Sequence, residues 1–293
     1  MPAKGEFPLD QLFGKVAPAG QAQKGMVRAE EELARRFERR EASLASSTKA
    51  FSPFAEAFGR QNQEQLQRAV RSLQELDKRA GREKLAVPKL APDDGRVFPG
   101  SIGITRVPPY NYQWTWSAKD NNAATASVAA TAANGQQSFN LWNNSVQAHA
   151  WGATAVGIYF RPFTTNGIVH LWANPAINYN WWTYCTLASA HSDGWLGLYV
   201  GQYTLAGDLD HVPVDQQISL WSDDSWWGGA GSHSGSNSGY PLSSWFTVDS
   251  NHWYAMWVWT GGSVYGSGWG TFSGSGAGAS LKTGTPSISL VLY

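Results

Sequence analysis

Sixteen tryptophans lie in the chain, all of them beyond residue 113, and two short runs set them beside groups that bind polar ligands. In SDDSWWGG, Asp223 and Asp224 precede Trp226 and Trp227; in ANPAINYNWW, Asn174, Asn178 and Asn180 accompany Trp181 and Trp182. The flat face of an indole stacks on the C–H side of a sugar ring, while carboxylates and carboxamides take its hydroxyls, so each run carries both halves of a glycan site. Consecutive tryptophans beside two carboxylates and a Gly/Ser-rich stretch are hard to bury together, which favours the first run. The competing reading is structural. Val, Ile and Leu are scarce in this half of the chain, and tryptophan fills a core as well.

A second acidic group, Asp208, Asp210 and Asp215 in GDLDHVPVD, could join Asp223 and Asp224 around a hard cation such as calcium, which takes about six to eight oxygens. The spacing lacks the D-x-D-x-D-G run and distal Glu of an EF-hand loop, and Asp is also a common turn residue. No other cofactor is expected.

Hydrolytic chemistry fits less well. A glycosidase needs two carboxyl groups across a cleft, and residues 100–293 contain no Glu, leaving Asp208 or Asp210 against Asp223. The serine elbow G-x-S-x-G is missing, since GSHSG and GSNSG place His233 and Asn237 at the centre. The six histidines show no H-E-x-x-H spacing, and no phosphate loop or dinucleotide fingerprint occurs.

The elements that must position these groups divide the chain in two. Its formal charge is zero, but residues 1–99 hold 18 Lys+Arg against 14 Asp+Glu, and residues 100–293 hold 4 against 8. Four basic residues cannot neutralise a row of phosphates, so nucleic-acid binding by the second half is not expected. Cys185 is the single cysteine, which excludes an intrachain disulfide and a zinc site built on cysteine pairs. No stretch of about 18 apolar residues occurs, and the first 25 residues lack the apolar core of a signal peptide. Synthesis in the cytoplasm is expected, with any role outside the cell requiring a non-classical route of release.

Residues 1–25 read as a flexible segment. From residue 26 to 85, apolar residues recur at helical spacing (Val27, Leu33, Phe37 and Leu44, then Phe54, Phe58, Leu66, Val70, Leu73 and Leu76), with Ser52 and Pro53 placed to start a second helix. This pattern predicts a helical hairpin whose narrow apolar stripes serve oligomerisation or docking. Three prolines in residues 86–99 mark a linker.

Beyond it the period becomes two. Alternation is plain in YQWTWS, INYNWWTYCTLA, GWLGLYVGQYTL and HWYAMWVW, and further strands are expected at 102–106, 123–131, 154–161, 167–172, 214–221, 243–248, 276–282 and 286–292. Residues 228–241, GGAGSHSGSNSGYP, read as a long loop. The expected fold is therefore an α+β organisation: an N-terminal helical hairpin followed by a large all-β antiparallel two-sheet sandwich, jelly-roll-like, over residues 100–293.

The function this favours is non-enzymatic. A Trp-rich β-sandwich head would recognise a glycan or other polar surface, with a homo-oligomer as the expected state. The alternative is a self-assembling fibre-tip or filament subunit with tryptophans at subunit contacts; an injected toxin or Asp-dependent hydrolase ranks third.

Overall fold

The computed structural model describes residues 102–293, apart from 120–121, 146–147, 163–164, 187, 207, 227 and 269–273. Among the described residues fourteen strands are present: β1 (Ile102–Arg106), β2 (Tyr112–Lys119), β3 (Ala124–Thr131), β4 (Gln136–Asn143), β5 (Ala148–Phe160), β6 (Gly167–Ala173), β7 (Ala176–Cys185), β8 (Ala188–Thr204), β9 (Leu209–Trp226), β10 (Ala230–Asn237), β11 (Leu242–Val248), β12 (His252–Gly268), β13 (Ser275–Gly284) and β14 (Ile288–Leu292).

They form three antiparallel sheets, ordered β2-β5-β12-β8-β9, β10-β7-β13-β4-β3 and β1-β14-β6-β11. This corrects the expected α+β organisation with a two-sheet, jelly-roll-like sandwich. Among the described residues every regular element is a strand, and the predicted helical hairpin of residues 26–85 lies outside them, as do the segments 1–25 and 86–99.

Strand length explains the third sheet. β8 and β12 run 17 residues and β9 runs 18, which at about 3.3 Å per residue is roughly 55 Å. The strands of the other two sheets run only 5 to 10 residues, so one long sheet spans two short ones. All three meet in a single core. The long sheet supplies Val156, Ile158, Leu196, Leu198, Met256 and Val258, against Phe139, Leu141 and Leu281 of one short sheet and Leu171, Phe246 and Leu290 of the other. Phe160 of β5 stacks on Tyr254 of β12 at 5.2 Å between centroids and meets Phe246 of β11 edge-on.

The predicted loop at 228–241 is a second correction, because it contains strand β10, which pairs with β7 from Ala230↔Tyr184 to Asn237↔Ile177. Its glycines give room for the rings of β7. A Cβ at Gly235 would stand 2.6 Å from the Tyr179 hydroxyl, so a strand that looks too small to pack is small because its partner's aromatics lie across it.

Candidate functional site

Alternation along β7 separates the residues of ANPAINYNWW. Tyr179, Trp181 and Thr183 point to the sandwich interior, and Asn178, Asn180 and Trp182 to the opposite side. Trp182 is almost wholly buried, lying flat over Gly276 and Gly278 of β13. Asn180 accepts a hydrogen bond from the Ser280 hydroxyl. Asn174, between β6 and β7, is exposed.

The SDDSWWGG carboxylates are tied into the fold. Asp223 accepts a 2.5 Å hydrogen bond from Thr183, whose hydroxyl also lies 2.7 Å from that of Ser225. Asp223 and Trp181 do come together, both crowding Gly231 of β10. Asp224 faces His191 across the β8–β9 register and is bonded to its Nδ1. The His191 Nε2 lies 2.5 Å from Asp193, which is fully buried. Burial works against a charged imidazole here, but the hydrogen bonds and charges of Asp193 and Asp224 outweigh it and push the His191 pKa up to about 9. An imidazolium clamped between two carboxylates joins strands; both ring nitrogens are engaged, so it offers no free base. Trp226 is 37% exposed, and Trp227 lies outside the described residues.

Of the candidate calcium ligands, Asp210 makes side-chain contacts, while Asp208 and Asp215 are placed by the backbone. Asp208 closes the β8–β9 turn through Thr204, and Asp210 accepts a 3.0 Å bond from Gln202 and stands 3.6 Å from His252. Asp215 sits opposite Tyr199. Among the described residues no group of three or more His, Cys, Asp or Glu side chains is arranged to hold a metal ion.

A different aromatic platform occupies the outer face of the sheet β1-β14-β6-β11. The register lines its outward residues into rows. Thr105, Ser289, Trp172 and Ser243 form one, Gly103, Val291, His170 and Trp245 the next, and Tyr293, Ile168 and Thr247 the third. Trp245, 56% exposed, stacks on His170 with centroids 4.1 Å apart and planes 9° from parallel. Tyr293 lies 5.4 Å from Trp245, and Trp172 lies 5.1 Å from His170. Partial burial lowers the His170 pKa, so this ring is neutral near pH 7. Exposed Ser243, Thr247 and Thr105 supply polar groups around the rings, the Thr105 hydroxyl lying 2.9 Å from that of buried Ser289.

None of these aromatics belongs to the two runs singled out by sequence, although a signal existed. In GIVHLWA, aliphatic Val169, Leu171 and Ala173 point inward, leaving Ile168, His170 and Trp172 on the outside. A shallow depression of about 440 Å³ on the other short sheet, lined by Thr131, Gln136, Ser138 and Lys282 among others, contains no aromatic ring.

No protein family and no curated protein sequence matches the chain. Among solved structures, it is similar to the K1 cleaved adhesin domain of Lys-gingipain from Porphyromonas gingivalis W83, at 9% identity over 61% of this chain and 97% of that one, with a TM-score of 0.18. It is also similar to TmCBM61, solved in complex with beta-1,4-galactotriose, at 10% identity over 57% and 86% of the two chains and a TM-score of 0.13. The infectious bursal virus T=1 particle protein aligns at 7% identity over 70% of this chain and 40% of its own, with a TM-score of 0.20. These likenesses are too slight to assign a family, and the chain is described by its own architecture, an antiparallel β-sandwich of three sheets.

Proposed function

We propose that the β domain is a non-enzymatic binding module that takes a glycan on the platform of Trp245, His170, Trp172 and Tyr293. The observation that carries this reading is Trp245, more than half exposed yet held in place by a parallel stack on His170 and by Tyr293. Exposed apolar rings set among hydroxyls are unfavourable in water unless something covers them. Covering the open part of Trp245, roughly 140 Å² of a side chain near 250 Å², is worth up to about 3 kcal/mol. The ring supplies stacking area, while Ser243, Thr247 and Thr105 are placed to meet sugar hydroxyls, a division of labour that suits a pyranose face better than a peptide or a phosphate.

Glycan-array binding of the full chain, followed by calorimetry on the strongest ligand, tests this. Trp245→Ala is expected to weaken binding at least tenfold, and Trp226→Ala, in a different sheet, to change it less than twofold. Silence of the wild-type chain across broad arrays, or binding indifferent to both Trp245→Ala and Tyr293→Ala, would overturn it.

A further inference from the structure

The outer face of the sheet β10-β7-β13-β4-β3 differs in charge from the rest of the domain. Phe139, Leu141 and Leu281 point into the core, so alternation turns Ser138, Asn140, Ser280 and Lys282 outward. The five strands contain no Asp or Glu, and Lys282 is their single Lys or Arg. By contrast, Asp193, Asp210, Asp215, Asp223 and Asp224 all stand on β8 or β9 of the long sheet. Asp223 reaches the β10-β7-β13-β4-β3 sheet from its inner side, at Thr183.

The depression of about 440 Å³ lies on this sheet, and a hollow of that size falls within the range of about 300–1,000 Å³ for small-molecule sites. The register explains it. Ala129, Ser138 and Lys282 form one row and Thr131 and Gln136 the next, so two small side chains lie among longer ones. The turn before β4 is fixed by its own hydrogen bonds, from the Gly135 N–H to the Thr131 carbonyl at 2.9 Å and from the Gln136 N–H to Asn134 Oδ1 at 3.0 Å, which holds Thr131 opposite Gln136. Asn178 of β7, one of the asparagines marked by the sequence, stands beside Lys282 on the far side.

We propose that this depression binds an acidic sugar, the uronate residue of a polysaccharide, with the Lys282 ammonium on its carboxylate and Thr131, Gln136, Ser138 and Asn178 on its hydroxyls. Among the described residues that line the depression, none is a carboxylate that would oppose an anion. An ammonium offers three donors and a single charge, which matches one carboxylate per sugar residue. The carboxamides and hydroxyls around it both donate and accept, as ring hydroxyls do, whereas a phosphate or sulfate calls for donors alone. An ion pair open to water contributes little by itself, so the neutral partners carry much of the discrimination. The site does not rest on the Trp245 platform. The two lie on different sheets, and either can fail while the other stands.

Titration calorimetry of the full chain tests the assignment, with oligogalacturonate, alginate and hyaluronan oligosaccharides as uronate probes, a neutral oligosaccharide of matched length beside each, and a carrageenan oligosaccharide as the sulfated control. A uronate should bind, and more weakly as salt rises. Lys282→Gln should lower its affinity about tenfold or more and Gln136→Ala/Ser138→Ala about threefold or more, while Lys119→Gln, on the long sheet, leaves it unchanged. Carbodiimide activation of the bound uronate should join its carboxyl to the Lys282 amine, an adduct that peptide mass spectrometry locates. Uronates that bind no tighter than their neutral or sulfated counterparts would overturn the proposal, as would adducts on other lysines without Lys282. So would affinity indifferent to both sets of substitutions in the depression, or uronate binding abolished by Trp245→Ala, which would put the ligand on the aromatic platform instead.

Discussion

Stability of the β domain should fall steeply with rising pH because of one buried histidine. His191 is held between Asp193 and Asp224 with its pKa near 9, against 6.5 for an ordinary imidazole. The folded chain thus keeps a proton that the unfolded chain releases. The stabilisation is complete below pH 6.5 and is lost as pH rises through 9. The difference between the two values corresponds to about 3 kcal/mol, most of it gone by pH 9. For a domain of this size, that lowers the midpoint of thermal unfolding by about 6–12 °C. Denaturant and thermal unfolding followed by tryptophan fluorescence at pH 5.5, 7, 8 and 9 measure it. The scan ends at 9, since the buried Cys185 thiol, pushed up to about 11, adds its own loss of stability at higher pH. His191→Gln should remove the slope and cost most at low pH, roughly 3 kcal/mol or more at pH 5.5 where it leaves the buried Asp193 carboxylate without its counter-charge, with the difference from wild type narrowing toward pH 9. Asp224→Asn should flatten the slope only partly, as the Asp224 side chain is 44% exposed and screened by water. A wild-type chain whose stability changes by less than about 0.5 kcal/mol from pH 5.5 to 9, or a His191→Gln variant with an undiminished slope, would refute the reasoning.

Two further predictions concern packing. Gly197→Ala places a methyl within 2.2 Å of the Gln216 carbonyl oxygen as well as against Trp259, and should destabilise the domain by about 1–3 kcal/mol in urea titration; unchanged stability would mean that β8 and Trp259 are not in this contact. Cys185 is fully buried with a raised pKa, so a thiol reagent at pH 8 should label the native chain at least a hundredfold more slowly than the chain in denaturant.

Much of the strand pattern was legible because period-two alternation survives even where the residues are unusual. The runs around Trp114, Trp181, Trp195 and Trp257 lie in β2, β7, β8 and β12. β4 escaped notice because two of its inward residues are polar. Gln137 bonds to the hydroxyls of Thr154 and Thr285, and Asn143 to the backbone of Ala148 and Ala277. β10 escaped because its residues are small for the sake of the rings beside them. The two runs set tryptophans beside Asp in one case and Asn in the other; the structure holds Asp223 and Asp224 on Thr183 and His191 and leaves Trp226 exposed, while further open rings lie on β6, β11 and beyond β14.

By itself the sequence determined that residues 100–293 form an antiparallel β domain rich in aromatic rings, because side-chain alternation is local and each strand records it alone. It also showed that this half carries only four Lys and Arg residues. Only the tertiary structure decided which tryptophans are buried and which are open, and that Asp224 meets a histidine 33 residues earlier in the chain. Those outcomes depend on register between strands and on how three sheets stack. The same outward-facing ring is exposed on one sheet, as Trp245 is, and shielded on another, as Trp257 is, and no property of the isolated strand distinguishes the two.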